Sequence, residues 1–247
     1  MPTSTTTAAA QSSKKRTRNM WNSSGGSSRA SSSSYSKKRG SGAYQPSIDE
    51  EAAEKLFAEI ADEEDPTVAG MEGISTLCDK LQIDPLEDIR ILVLLWKMGS
   101  KEKPAQITKE EWMAGCQKLK VDSIEKLTAL LPSLDTGFLD RTDFRDFYKF
   151  CFRFNLHGTH RTLDKEMVIA LIQMTLKDRI AADRLETFCS FIETQQTYTR
   201  ITLDQWTSFL DFCYECEDLS TYDESNSAWP VLIDEYVEYM EEQQKNK

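Results

Sequence analysis

The amino-acid sequence predicts an all-α fold of two helical lobes, preceded by a disordered tail. Three observations carry this. Beyond residue 46 the apolar side chains recur every three or four positions, the period of a helix with one buried face. Prolines and glycines punctuate these runs at helix-length intervals. One helix-start pattern occurs twice, at Ile107 and again at Ile201.

Residues 1–46 consist largely of Ser, Thr, Gly, Lys and Arg, including Ser31-Ser32-Ser33-Ser34, and cannot bury enough apolar surface to offset the entropy of ordering. The expected organisation is a disordered basic tail over 1–46 and one helical domain over 47–247. Eight of the chain's 30 basic residues lie in this tail (Lys14, Lys15, Arg16, Arg18, Arg29, Lys37, Lys38, Arg39) and none of its 41 acids, leaving 22 basic against 41 acidic residues in the body. The overall charge of −11 conceals that split. An acidic body repels nucleic acid and anionic lipid and favours a basic protein partner. Lys14-Lys15-Arg16-Thr17-Arg18 and Lys37-Lys38-Arg39 match short import signals, giving an expected distribution between nucleus and cytoplasm, although a solvated tail is the plainer reading of such motifs. No run approaches the roughly 18 apolar residues of a membrane span. The longest, 89–96, contains Arg90. Pro2 lacks the glycine that myristoylation requires.

Helices are expected around Leu56, Phe57 and Ile60, then around Ile74, Leu77, Cys78 and Leu81. Others are expected at 86–98, 109–119, 123–131, 140–154, 164–176, 181–195, 203–215 and 230–243, with breaks at Pro85, Pro104, Pro132, Gly158 and Pro230. No alternating strand of useful length is evident.

Ile107-Thr108-Lys109-Glu110-Glu111-Trp112 is echoed by Ile201-Thr202-Leu203-Asp204-Gln205-Trp206. Each is a capping box, with Thr able to cap the helix and Glu111 or Gln205 able to reach back three residues. The exit of an EF-hand loop has this form. With Glu111 as the twelfth loop residue, Ser100, Glu102, Pro104 and Ala105 fall at the first, third, fifth and sixth, where calcium needs oxygen ligands and then glycine. Residues 62–73 fail similarly through Pro66. The expectation is therefore of degenerate EF-hand-like helix-loop-helix units that hold no metal.

Catalytic signatures are sparse. His157 and His160 are the chain's two histidines and could join Cys213 and Cys216 around zinc, but that Cys-x-x-Cys lies in or at the end of a helix and no second pair exists. All six cysteines are expected to be reduced thiols. A Cys151 nucleophile beside His157 is the remaining thiol-enzyme reading. No phosphate-binding loop, nucleophile elbow or zinc-protease motif is present. Phe144, Phe147, Tyr148, Phe150, Cys151, Phe152 and Phe154 crowd one helix. Such a helix is buried on two sides between lobes, or lends one side to a groove for an amphipathic partner helix, and both can hold.

The most distinctive segment is Tyr222-Asp223-Glu224-Ser225-Asn226-Ser227-Ala228-Trp229-Pro230-Val231-Leu232-Ile233-Asp234-Glu235-Tyr236-Val237-Glu238. Together with Leu94-Leu95-Trp96-Lys97, the box at 107–115, Asp122-Ser123-Ile124-Glu125-Lys126-Leu127, the 144–154 helix and Asp204-Gln205-Trp206, it resembles the potentiating-neddylation domain of the defective-in-cullin-neddylation family over about residues 50–240. The resemblance implies a scaffold-type co-ligase without catalytic residues or cofactors. It would bind the C-terminal winged-helix region of a cullin and the N-terminally acetylated conjugating enzyme, meeting the ubiquitin-like modifier only through that enzyme. Nucleic acid and membrane are not expected partners, and a monomer is expected. The family's Asp, Ala, Asp cullin patch falls on Asp204, Ala228 and Asp234. Its acetyl-methionine pocket falls on Ile89, Leu92, Val93, Val121, Leu127 and Phe154, which also read as ordinary core positions. Taken alone, Asp204 would be a first-turn acid favouring the helix dipole and Asp234 a solvated helix acid. This chain departs from the family in having Ser227 where glycine is usual and one more residue in the loop 224–227.

Overall fold

Five of the helices start where the sequence supplies a side-chain acceptor for a first-turn N–H group. Asp49 accepts from the Ala52 N–H and starts α1 (Glu50–Ala58), Ser123 does so for α5 (Ile124–Leu130), and Asp140 accepts from Thr142 and Asp143 to start α6 (Arg141–Phe154). The computed structural model describes residues 48–216, 218–219, 222–223 and 228–245, within a folding unit over Gln45–Lys247. The tail expected over 1–46, with its two basic clusters, lies outside the described residues.

The body is helical, with two small strand pairs, and forms two lobes of like construction. In the first, α1, β1 (Val68–Ala69) and α2 (Met71–Leu81) face α3 (Arg90–Met98), β2 (Ile107–Thr108) and α4 (Lys109–Leu119). β1 and β2 pair antiparallel, Val68 with Thr108 and Ala69 with Ile107. In the second, α6, β3 (Thr162–Asp164) and α7 (Lys165–Leu176) face α8 (Ala182–Thr194), β4 (Arg200–Thr202) and α9 (Leu203–Glu215), with Leu163 opposite Ile201. α5 and two 3₁₀ turns, Leu131–Leu134 and Thr136–Phe138, join the lobes, and α10 (Val231–Lys245) packs on α8 and α9. The repeated box has the same job in each lobe. Both capping boxes are formed, by Thr108 with Glu111 and by Thr202 with Gln205. Trp112 donates through its indole N–H to the carbonyl of Ala53 on α1, and Trp206 to that of Tyr148 on α6.

The first lobe also shows what became of the calcium geometry. Glu111 Oε1 accepts from the backbone N–H groups of Lys101 and Glu102 at 2.8 and 3.0 Å, while Oε2 accepts from Thr108 at 3.0 Å. The carboxylate that would ligate an ion from the twelfth loop position instead ties the loop directly to the helix. Ser100 is buried and donates to the Gln106 carbonyl. Ala105 adopts the left-handed conformation, φ 56°, which an EF-hand loop reserves for glycine.

Helix bounds follow the sequence closely except at α3, which starts at Arg90 rather than 86. Asp84 accepts from Leu86 and makes a turn after Pro85, and Asp88 accepts from the Arg90 N–H and pairs with its guanidinium, moving the start on by a turn. Pro132 does end α5, and the chain continues in a 3₁₀ turn. The strands, two or three residues each, are too short to be read from alternation.

α6 is buried on two sides. Phe147 meets Trp96 of α3 at 5.7 Å, while Tyr148 stacks on Trp206 of α9 at 4.1 Å. All seven of its crowded side chains are buried.

Candidate functional site

α10 is held by its aromatic face. Tyr236 is fully buried, edge-on to Phe188 at 5.1 Å and to Phe209 and Phe212 at 6.2 Å each. Its hydroxyl lies 3.0 Å from Thr187 Oγ1 and donates to the Arg184 carbonyl. Leu232, Ile233 and Val237 fill the rest of that face. Near the end of α9, Phe212 receives two further rings edge-on, Tyr222 at 5.8 Å and Trp229 at 6.0 Å. The two anchors straddle residues 224–227, so both flanks of the segment carrying Ser227 rest on one ring. Residues 224–227 themselves lie outside the described residues.

This scaffold leaves Ala228 exposed three residues before the helix and Val231 exposed in its first turn. Asp234 is half-buried and accepts from the Tyr222 hydroxyl. Tyr198, in the loop that leads to β4, approaches the same helix: burial first, then the hydrogen bond to and charge of Glu235 and the charge of Asp234, push its hydroxyl pKa up. Asp204 stands exposed in the first turn of α9, six positions beyond Tyr198 and inside the capping box formed by Thr202 and Gln205. Asp204 and Asp234 lie on α9 and α10, two helices that pack on each other, and carboxylates of this kind suit cationic side chains.

A second feature is a cavity of about 390 Å³ where residues 99–104 of the first lobe face α6. Pro104, Phe150, Phe154 and Leu156 supply apolar wall, and Lys101, Lys103 and Arg153 also line it. Its geometry is set by the Ala105 N–H donating to the Phe154 carbonyl at 2.7 Å and by the Trp96 indole donating to Asp146 at 2.9 Å. Of the six residues expected to line a pocket, Phe154 lies on this cavity; Ile89, Leu92, Val93, Val121 and Leu127 are buried in the core.

Residues 126–239 match the cullin-binding family model, a span that contains Asp204, Ala228 and Asp234. The chain is 33% identical over 216 residues to DCN1-like protein 3 of Xenopus tropicalis, covering 85% of this chain and 69% of the relative. The chain belongs to the DCN1-like family. It is likewise 34% identical to the human DCN1-like protein 4 over 189 residues (76% of this chain, 62% of the relative) and 34% identical to the rat DCN1-like protein 5 over 173 residues (70% of each). Membership of this family of defective-in-cullin-neddylation proteins ties the chain to cullins and to their neddylation.

Other chemistry finds little footing in this DCN1-like fold. All six cysteines are free and buried. Burial pushes the thiols up, to about 12 for Cys78, Cys116 and Cys213 and about 11 for Cys189, with Cys151 also well above the ordinary range. Protonated thiols of this kind are poor nucleophiles. His157 and His160 are exposed on the turn after α6. Among the described residues no three His, Cys, Asp or Glu side chains gather in a metal-holding group, and no helix is long and apolar enough to cross a membrane. The approach of Tyr222 to Asp234 and of Tyr198 to Glu235 is not legible in the sequence, because nothing local marks which distant carboxylate a tyrosine will meet.

Proposed function

We propose that this protein is a non-catalytic scaffold for neddylation, binding a cullin through Asp204, Ala228 and Asp234 and the conjugating enzyme through the cavity that holds Phe154. The observation that carries the reading is the placement of exposed Ala228 just ahead of, and half-buried Asp234 in the first turn of, a helix held by aromatics, inside the segment that matches the cullin-binding family. Acids on a body with a large acidic excess favour a basic surface, here assigned to the cullin C-terminal winged-helix region. Ala228 lets a partner side chain approach beside the carboxylates.

The cavity suits an acetylated amino terminus. A free terminus carries a positive charge and would meet Lys101, Lys103 and Arg153 around an apolar wall, against the single carboxylate of Asp146, which already accepts from the Trp96 indole. Acetylation removes that charge and adds apolar surface. Ile89, Leu92, Val93, Val121 and Leu127 are buried in the core of the free protein, so in this proposal they support the pocket from within and do not form surface that the enzyme's helix touches. The ubiquitin-like modifier arrives on the enzyme, the protein acts as a monomer, and the basic clusters of residues 14–18 and 37–39 distribute it between nucleus and cytoplasm. Acceleration comes from proximity, since holding the charged thioester beside one cullin lysine replaces an encounter with a positioned reaction.

Reconstituted cullin neddylation, with and without this protein and with acetylated or unacetylated conjugating enzyme, tests both surfaces. The protein is expected to speed transfer from the acetylated enzyme and to do so less for the unacetylated one; equal stimulation would remove the pocket assignment. Asp204→Lys or Asp234→Lys is expected to abolish cullin capture with an unchanged circular dichroism spectrum. Undiminished capture by either folded variant would refute the patch.

A further inference from the structure

We infer that Tyr222 is a positioning residue for cullin recognition: its hydroxyl holds the Asp234 carboxylate in the orientation that a partner cation meets. The inference rests on Asp234 being a cullin contact, as proposed above. Asp234 Oδ1 accepts from the Tyr222 hydroxyl, and the Tyr222 ring is itself fixed edge-on against Phe212. A carboxylate at a helix surface ordinarily samples several rotamers, and a partner that pairs with it must freeze them at the cost of side-chain entropy. Here one of the two carboxylate oxygens is already held within the free protein. The donor is a neutral hydroxyl, so the full negative charge remains, and Oδ2 stays available for an arginine or lysine of the partner.

The same ring links the two ends of the patch. Phe212 carries Tyr222 on one side of residues 224–227 and Trp229 on the other, and Trp229 directly follows Ala228. A change at Tyr222 is thus felt at Asp234 through a hydrogen bond, whereas the position of Ala228 depends on ring packing that a phenylalanine would keep. The two contributions are separable by substitution.

The test is a double-mutant cycle on the full chain, with affinity for a purified cullin C-terminal fragment measured for wild type, Tyr222→Phe, Asp234→Asn and the double variant. Tyr222→Phe keeps the ring on Phe212 and removes only the donor, so the thermal unfolding midpoint should move little while affinity falls roughly fivefold to tenfold. In the Asp234→Asn background the same substitution should cause no further loss, because the charge it positions is gone. The single-variant deficit should also narrow as salt is raised, since screening weakens the contact being positioned. Wild-type affinity for Tyr222→Phe, or an equal loss in both backgrounds, overturns the inference while leaving the cullin reading intact. If Asp234→Asn itself binds as tightly as wild type, the cullin contact fails and the inference falls with it.

Discussion

Glu111 occupies the place from which an EF-hand loop closes on calcium, and its two oxygens are taken by the N–H groups of Lys101, Glu102 and Thr108. It is only 9% exposed. Three backbone donors would lose their partner in Glu111→Ala, which is expected to lower unfolding stability by about 2–3 kcal/mol, a typical loss for buried hydrogen bonds to a charged group. Urea titration checks this, and a shift within error would show that the loop holds itself. Asp204 and Asp234 are acids of the opposite kind. Asp204 is exposed on its helix, and Asp234 is half-buried against one tyrosine hydroxyl. Sequence places all three carboxylates on helices in the same manner, and only the distribution of donors around them separates the acid that closes a loop from the other two.

At the scale of elements, the capping boxes were legible and correct because they are local: Thr108 with Glu111 and Thr202 with Gln205 need no distant residue. The late start of α3 was not legible from Pro85, since it depends on how Asp84 and Asp88 distribute their oxygens between turn and helix. Close helix contacts were equally hidden. A Cβ added at Gly115 of α4 would lie 2.6 Å from Met98 Cβ and 2.8 Å from its Cα on α3. In an unpacked helix Gly→Ala stabilises by roughly 0.5–1 kcal/mol. Here the crossing wins, and Gly115→Ala is expected to destabilise by about 1–3 kcal/mol through overpacking. A thermal melt gives the sign directly, and a stabilised variant would mean that α3 and α4 separate at little cost.

For the molecule as a whole, the buried thiols make stability depend on alkaline pH. Folded values of about 11 to 12 at Cys78, Cys116, Cys189 and Cys213 stand above the ordinary 9.0. A group whose folded pKa is raised contributes fully below its unfolded value and loses that contribution as pH rises toward the folded one. Stability from these thiols should hold up to about pH 9 and decline between 9 and 12, as the unfolded chain releases protons that the folded chain retains. Denaturant titrations across that interval measure it. A slope no steeper than that of a variant with serine at Cys189 and Cys213 would place the alkaline loss elsewhere.

The sequence by itself determined the helices, their caps and the two-lobe repeat, because periodicity and capping are carried by neighbours along the chain. The tertiary structure decided the rest. It set Phe154 on an open cavity while Val93 and Leu127, of the same apolar character, went to the core. It brought Tyr222 to Asp234 and Tyr198 to Glu235, and it spent the Glu111 carboxylate on backbone N–H groups. The physical reason is common to all of these. Which face of a helix is covered, and which donor a carboxylate meets, depends on surfaces contributed from elsewhere in the chain, and those exist only once the lobes have packed.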